Sequence, residues 1–125
     1  MTPASLRPVG FIPTRQAEAA RAFYEGVLGL TFVSDDEFAM VFRLADDVML
    51  RVVRIGDFQP AQFTIFGWEA MDIESSIDAL AKRGLDFLRF EGMKQDGRGV
   101  WTSPNGNKVA WFKDPDGNVL SLSQH

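Results

Sequence analysis

The stretch Gly29-Leu30-Thr31-Phe32 recurs in this sequence as Gly84-Leu85-Asp86-Phe87, at an offset of 55 residues. Each copy directly follows an amphipathic segment, and each glycine is suited to end a helix because glycine readily adopts positive φ. Phe11 and Phe66 keep the same offset ahead of the two segments, on stretches with strand character. The sequence therefore predicts two matching halves.

Both amphipathic segments are predicted to be helices. Thr14 and Asp72 are the predicted N-caps, and Tyr24, the single tyrosine, lies on the apolar stripe and is predicted to be structural. The first stripe consists of Ala17, Ala20, Phe23, Tyr24, Val27 and Leu28, and the second of Ile73, Ile77, Leu80 and Ala81.

After each helix the apolar residues no longer follow the helical spacing and recur at about every second position, which is typical of half-buried strands. Asp46-Asp47, Asn105-Gly106 and Asp114-Pro115-Asp116-Gly117 are predicted turns. Strands are predicted over 38–44 and 48–55 in the first half, and over 99–103, 108–113 and 119–123 in the second. Residues 56–62, with Pro60, link the halves, and 92–99 is a polar loop. Each half is predicted as β-α-β-β-β, which gives an α+β fold.

Length and composition exclude several classes of protein. A chain of 125 residues allows a single domain, 1–125, with module 1 at about 7–57 and module 2 at about 61–124. The chain has no cysteine, and its single histidine is His125, so one chain cannot assemble a two-histidine iron site or a cysteine-ligated zinc site.

Charge and hydropathy limit the kinds of partner that we expect the protein to bind. The net charge of −4 argues against a nucleic-acid-binding protein, which needs a basic surface to neutralise phosphates. No apolar run is long enough to span a membrane, and residues 1–10 lack the layout of a signal peptide. We expect a cytoplasmic protein that does not bind membranes.

Two runs of this sequence resemble the vicinal oxygen chelate superfamily, which groups glyoxalase I, bleomycin-resistance proteins and extradiol dioxygenases. They are Ala22-Phe23-Tyr24-Glu25-Gly26-Val27-Leu28-Gly29-Leu30 and Val109-Ala110-Trp111-Phe112-Lys113-Asp114-Pro115-Asp116-Gly117-Asn118. The resemblance extends from about Val9 to Ser123. It implies two tandem β-α-β-β-β modules whose curved mixed sheets form a cup, with the helices on the outer face. It also implies a homodimer.

The resemblance places the metal-ligand positions of the family on residues that are poor ligands. Alignment through the shared motifs puts these positions on Gly10, near Arg51, on Ile65 and on Ser121. Glycine and isoleucine have no side-chain donor, and an arginine repels a cation. We therefore expect no metal cofactor, as in the bleomycin-resistance-like members that lack the metal.

Arg51 is a candidate ligand-binding residue. A guanidinium that points into the cup can bind an anionic group through two parallel hydrogen bonds. Alternatively, the side chain points outward or pairs with Glu69 across the cup. The residues on both sides of Arg51 are apolar, so periodicity does not fix its direction.

Glu69 shares strand parity with Ile65 and Gly67, so we expect it to face the vacated metal position. A partly desolvated carboxylate there could act as a general base or accept hydrogen bonds from a ligand. The favoured alternative is an ordinary charge at the end of a strand, just before the helix cap Asp72.

The three tryptophans all lie in the second half. Trp101 is the best candidate for a ligand pocket, because Gly97 and Gly99 permit a mobile loop beside it. Trp68 and Trp111 are more readily explained as core residues. Ser121 has no basic residue nearby in sequence to activate it, and His125 at the chain terminus is a poor general base, so a serine nucleophile is not favoured.

These observations support three hypotheses. The leading one is a metal-independent protein that binds or sequesters a small, anionic or aromatic molecule, with no catalytic residue. Its predicted ligand-binding residues are Arg51, Glu69, Trp101 and Ser121. The second is a glyoxalase-like lyase or isomerase that uses Glu69 as base or a metal bound elsewhere. The third is an interaction domain whose cup is filled by Met49, Phe63 and Ile65.

Overall fold

The strands of this chain form two four-stranded mixed sheets, one on each side of the boundary between Gln59 and Pro60. The computed structural model describes residues 2–125. The strands are β1 Val9–Thr14, β2 Thr31–Asp35, β3 Ala39–Arg43, β4 Met49–Arg54, β5 Thr64–Glu69, β6 Trp101–Thr102, β7 Lys108–Lys113 and β8 Val119–Gln124. The α-helices are α1 Ala17–Arg21 and α2 Ile73–Lys82. Short 3-10 segments cover Pro3–Ser5 and Ala45–Asp47.

The two sheets have the same topology, which confirms the predicted α+β fold with two β-α-β-β-β units. The strand order is β1-β4-β3-β2 in the first sheet and β5-β8-β7-β6 in the second. In each sheet the first and last strands of the unit pair in parallel, and the remaining neighbours are antiparallel. Such a parallel pair requires a crossover connection, and in each unit this connection runs through the helix and the two other strands.

The core of the first unit lies between its helix and one face of its sheet. Ile12, Leu50 and Val52 are fully buried on that face. Tyr24 is also fully buried, and its ring centroid lies 5.9 Å from that of Phe42. The structural role predicted for Tyr24 is confirmed. We call this face of each sheet the helix face and the opposite face the open face.

The core of the second unit is built in the same way. The buried residues of its helix face are Ala110, Phe112, Leu120 and Leu122, and α2 contributes Ile73 and Ile77. The Asp72 carboxylate accepts a hydrogen bond from the backbone N–H of Ser75 at 3.3 Å, which confirms Asp72 as the N-cap of α2. Gly84 has a φ of 94°, so it ends this segment as predicted.

The first helical segment differs from the prediction at its start and in the type of helix in its second half. Thr14 ends β1, and its hydroxyl accepts a hydrogen bond from the backbone N–H of Gln16, the residue at the N-cap position. After α1 the chain continues as a π-helix over Ala22–Val27, in which the N–H of Leu28 bonds the carbonyl of Phe23 five residues earlier. Gly29, with a φ of 74°, ends the segment as predicted.

Two strands also differ from the prediction. The alternation of apolar residues did not locate β2, because most of its side chains are exposed. The strand predicted over 99–103 is shortened to Trp101–Thr102, since Gly99 has a φ of 93° and Ser103 belongs to the following turn. No helix in the described part of the chain is long and apolar enough to cross a membrane.

Candidate functional site

The register of the second sheet brings three of the four predicted site residues onto its open face. Across the strands, Glu69 pairs with Ser123, Ser123 with Val109, and Val109 with Trp101. We call this set the Glu69 row. The next row consists of Gly67, Ser121 and Trp111, and we call it the Ser121 row. Partners in register point to the same face of a sheet, so both rows face away from α2.

An aromatic cluster covers the β6–β7 end of this open face. The ring centroids of Trp101 and Trp111 lie 6.3 Å apart at 40°, and Phe90 contacts Trp111 edge-on at 5.4 Å. Trp68 instead lies on the helix face, where it stacks on buried Phe112 at 6.2 Å. The core position favoured for Trp68 is therefore observed, whereas Trp111 lies on the open face.

An open groove of about 730 Å³ runs beside Trp101. This volume is within the usual range for small-molecule sites. The residues that line it include Phe90, Met93, Lys94, Trp101, Thr102 and Pro104. The apolar side chains suit the flat face of a ring, and Glu91 and Lys94 give the groove charges of both signs.

The loop beside Trp101 is held by hydrogen bonds, whereas its glycines suggested a mobile segment. The Gln95 side chain accepts from the N–H of Phe90 and donates to the carbonyls of Leu88 and Gly99, all within 2.9 Å. Arg98 forms two hydrogen bonds with Asp78 of α2, at 2.9 and 3.0 Å. Trp101 thus follows an anchored loop, which favours a groove formed before a ligand arrives.

Ser121 lies in the middle of its row with its hydroxyl beside a glycine. A Cβ added to Gly67 would lie 2.7 Å from the Ser121 Oγ and 3.0 Å from its carbonyl oxygen. Only 8% of Ser121 is exposed, yet within residues 2–125 its hydroxyl forms no side-chain hydrogen bond. The glycine therefore leaves room for a hydroxyl that is free to bond a ligand.

Glu69 ends β5 with an exposed side chain. In the described part of the chain its carboxylate forms neither an ion pair nor a side-chain hydrogen bond, although six other carboxylates pair with arginines. The neighbour of Glu69 in the row is Ser123, whose hydroxyl oxygen lies 3.0 Å from Nε2 of His125.

Arg51 lies on the open face of the first sheet, between its register partners Phe11 and Val41. Its guanidinium donates to the Asp36 carboxylate at 3.0 Å, so its partner is Asp36 rather than Glu69. The backbone N–H of Ala39 and the Arg51 guanidinium together lower the pKa of Asp36. Arg51 can reach an anionic ligand only by sharing or leaving this carboxylate.

The four positions aligned with family metal ligands do not fit a divalent cation. Gly10 pairs in register with Leu50 on the helix face, so it does not share a face with Arg51. Ile65 lies at a register shift between Thr64 and Phe66. Within residues 2–125 no group of three or more His, Cys, Asp or Glu residues could hold a metal ion.

The sequence and the fold match one family. The family model described as the Glyoxalase/Bleomycin resistance protein/Dioxygenase superfamily matches residues 6–122. No functionally curated protein matches the sequence.

Several solved structures are similar to the whole chain. A member of the glyoxalase/bleomycin resistance protein/dioxygenase superfamily from Sphaerobacter thermophilus has a TM-score of 0.74 at 20% identity, over 97% of this chain and 98% of that one. A glyoxalase/bleomycin resistance protein from Catenulispora acidiphila gives 0.72 at 21%, over 97% and 99%. A lactoylglutathione lyase from Agrobacterium tumefaciens gives 0.70 at 19%, over 98% and 96%. At these identities the likeness concerns the fold.

Proposed function

Because this chain belongs to the glyoxalase/bleomycin resistance protein/dioxygenase superfamily, we propose that it is a metal-independent protein that binds or sequesters a small aromatic molecule. The family hosts several chemistries on one fold, so the residues of the site have to support the assignment. The observation that carries this proposal is the open face of the second sheet, where Trp111 is the register partner of Ser121, whose hydroxyl is free, and Trp101 contacts Trp111.

The chemistry of the face is suited to binding. Indole rings offer large flat apolar surfaces at low cost in conformational entropy, while Ser121 and Glu69 supply hydrogen-bonding groups that fix orientation. Covalent catalysis requires a nucleophile that contacts a base, and a third group that orients the base. The residues of the two rows do not provide this set of three groups. A role in binding therefore needs fewer additional assumptions than a role in catalysis.

The proposal also retains the expectations attached to the first sheet and to assembly. Arg51 would bind an anionic group in exchange for Asp36, and the protein would act as a cytoplasmic homodimer. The pairing of Arg51 with Asp36 supplies the charge and geometry of a carboxylate site.

A glyoxalase-like lyase or isomerase is the second candidate. Its support is the free Glu69 carboxylate, which is available as a base on the same face as Ser121. The third hypothesis, a domain whose cavity is filled by its own side chains, fits poorly with Phe63, which is 69% exposed and therefore does not fill a cavity.

Binding of naphthylethanol, a neutral flat aromatic alcohol, tests the proposal by isothermal titration calorimetry. We expect wild type to bind and Trp101→Ala to bind about tenfold more weakly, which corresponds to about 1.4 kcal/mol. Phe38→Ala removes another exposed aromatic side chain and should leave the affinity unchanged, since Phe38 lies in the first unit.

A chelator separates the two candidate functions. Treatment with EDTA should change neither the affinity for naphthylethanol nor the melting temperature, and added divalent metals should not produce turnover of a hemithioacetal substrate. Absence of binding to wild type, or equal affinities for wild type and Trp101→Ala, would contradict the proposed function. Metal-dependent turnover that is lost in Glu69→Gln would establish the lyase or isomerase instead.

A further inference from the structure

The open face of the second sheet has an asymmetric distribution of charge. Among the residues of the Glu69 row and the Ser121 row, Glu69 is the only Lys, Arg, Asp or Glu. On the strands, the nearest cation that shares this face is Lys113, which pairs in register with Val119 one row beyond the Ser121 row. Beside Trp101, the groove carries charges of both signs, Glu91 and Lys94. Within the two rows the only charge is therefore negative, and it lies on β5 at the edge of the sheet.

The Glu69 carboxylate on this face is available to a ligand because no cation among residues 2–125 holds it. In the described residues, arginines occupy the carboxylates of Asp35, Asp36 and Asp78, whereas Glu69 has no cation. A carboxylate without a partner binds a protonated amine by a charge-assisted hydrogen bond. The hydroxyls of Ser121 and Ser123 on the neighbouring strand can accept hydrogen bonds from the same amine.

The aromatic cluster lies at a suitable distance from this carboxylate. Glu69 is on β5 and Trp111 is on β7, with β8 between them. Two strand spacings amount to about 10 Å. A ring that stacks on Trp111 and carries a side chain of a few bonds can therefore place its terminal amine at Glu69. The electron-rich faces of the indoles add a favourable interaction with a cation.

From this arrangement we infer that the second sheet selects a flat aromatic molecule with a protonated amine, in preference to a neutral or anionic one. This inference rests on the proposed function and names the class of its ligand. Glu69 binds the ammonium group, Ser121 and Ser123 supply further acceptors, and Trp101 and Trp111 bind the ring. Glu69 thus acts as a residue that determines specificity, in a position that an enzyme would use for a base.

Three probes with the same ring test the inference: naphthylethylamine, naphthylethanol and naphthylacetate. At low salt we expect wild type to bind the amine about tenfold more tightly than the alcohol, with the acetate weakest. Raising the salt concentration should reduce the preference, because Glu69 is exposed and its charge is screened. Glu69→Gln keeps the shape of the side chain and should bind the amine and the alcohol equally, and a Glu69→Gln variant that still prefers the amine would overturn the inference.

Asp57→Asn is the matched control. It removes one negative charge from an exposed residue of the first unit that forms no ion pair within residues 2–125, so it should retain the preference for the amine. The inference is overturned if wild type binds the alcohol without preferring the amine, or if Asp57→Asn loses the preference as fully as Glu69→Gln does. If wild type binds none of the three probes, the proposed function itself fails.

Discussion

A missing Cβ at Gly67 determines where the Ser121 hydroxyl can lie. The two residues are register partners on adjacent strands, and the space that a side chain at 67 would occupy holds the Ser121 Oγ. Glycine in the middle of a strand weakens it and often marks a close approach of another group. Here the approaching group is a hydroxyl that faces the candidate site, and under the proposed function the glycine keeps that hydroxyl in place for a ligand.

Gly67→Ala is therefore expected to lower both stability and binding. The new Cβ would lie 2.7 Å from the Ser121 Oγ and 3.0 Å from a backbone oxygen, so either the side chain or the strand has to move. We expect a loss of about 1–3 kcal/mol in the free energy of unfolding, together with weaker binding of naphthylethanol. Chemical denaturation and calorimetry measure the two effects.

Gly97→Ala is the control, because no atom lies within 4 Å of the added Cβ. Its stability should stay within about 0.5 kcal/mol of wild type. A Gly67→Ala variant as stable as Gly97→Ala and with wild-type affinity would show that the contact with Ser121 has no consequence.

At the scale of secondary-structure elements, an ion pair connects two strands of the first sheet that are not neighbours. Arg54 of β4 forms two hydrogen bonds with Asp35 of β2, at 2.7 and 2.8 Å, and β3 lies between these strands. The hydrogen bonds from Arg54 and from the backbone N–H of Glu37 lower the pKa of Asp35 from 3.8 to about 2.

This shift predicts a loss of stability in acid. Because the folded state holds the carboxylate in its charged form, the stabilisation is complete above about pH 4 and disappears as the pH falls toward about 2. Between these values the melting temperature of wild type should fall more steeply than that of Asp35→Asn. In an Arg54→Gln background the substitution at Asp35 should change the slope less, because only the hydrogen bond from the Glu37 N–H then lowers the pKa of Asp35. An undiminished difference would contradict the role of Arg54.

At this scale, a prediction from the sequence is correct where a local signal is enough to determine the structure. Asp72 and Gly84 are correct because capping and positive φ are properties of single residues and their nearest neighbours. The faces of the strands were harder to assign. The register shift between Thr64 and Phe66 turns Phe66 toward the helix face, whereas Phe11, its counterpart at the offset of 55 residues, lies on the open face.

The same limit applies to the candidate site. Parity within β5 correctly places Glu69 and Gly67 on one face, because both follow the register shift. Trp111 was favoured as core since an aromatic residue in a hydrophobic strand usually is, and only the register with Ser121 shows that it faces outward. Arg51 has apolar neighbours on both sides, so its partner Asp36, 15 residues away, could not be identified from alternation.

At the scale of the whole molecule, duplication gives each unit its own helix face and its own open face. Each sheet also has a long strand at its edge, β1 in the first and β5 in the second. Exposed apolar side chains lie on or beside these strands: Val9 is 45% exposed, Phe11 62% and Phe63 69%. Edge strands with apolar side chains favour association unless something covers them.

These exposed residues, together with the homodimer that the family resemblance implies, lead us to propose that the chain forms a homodimer. Sedimentation equilibrium should give twice the chain mass of 14.0 kDa at micromolar concentration. Phe11→Ser removes an exposed ring from β1 and should weaken the dimer at least about tenfold, because large apolar side chains dominate the energy of interfaces. Met71→Ser, at a fully exposed residue between β5 and α2, should leave the dissociation constant unchanged. A monomeric wild type would contradict the prediction, and equal effects of the two substitutions would exclude β1 as the interface.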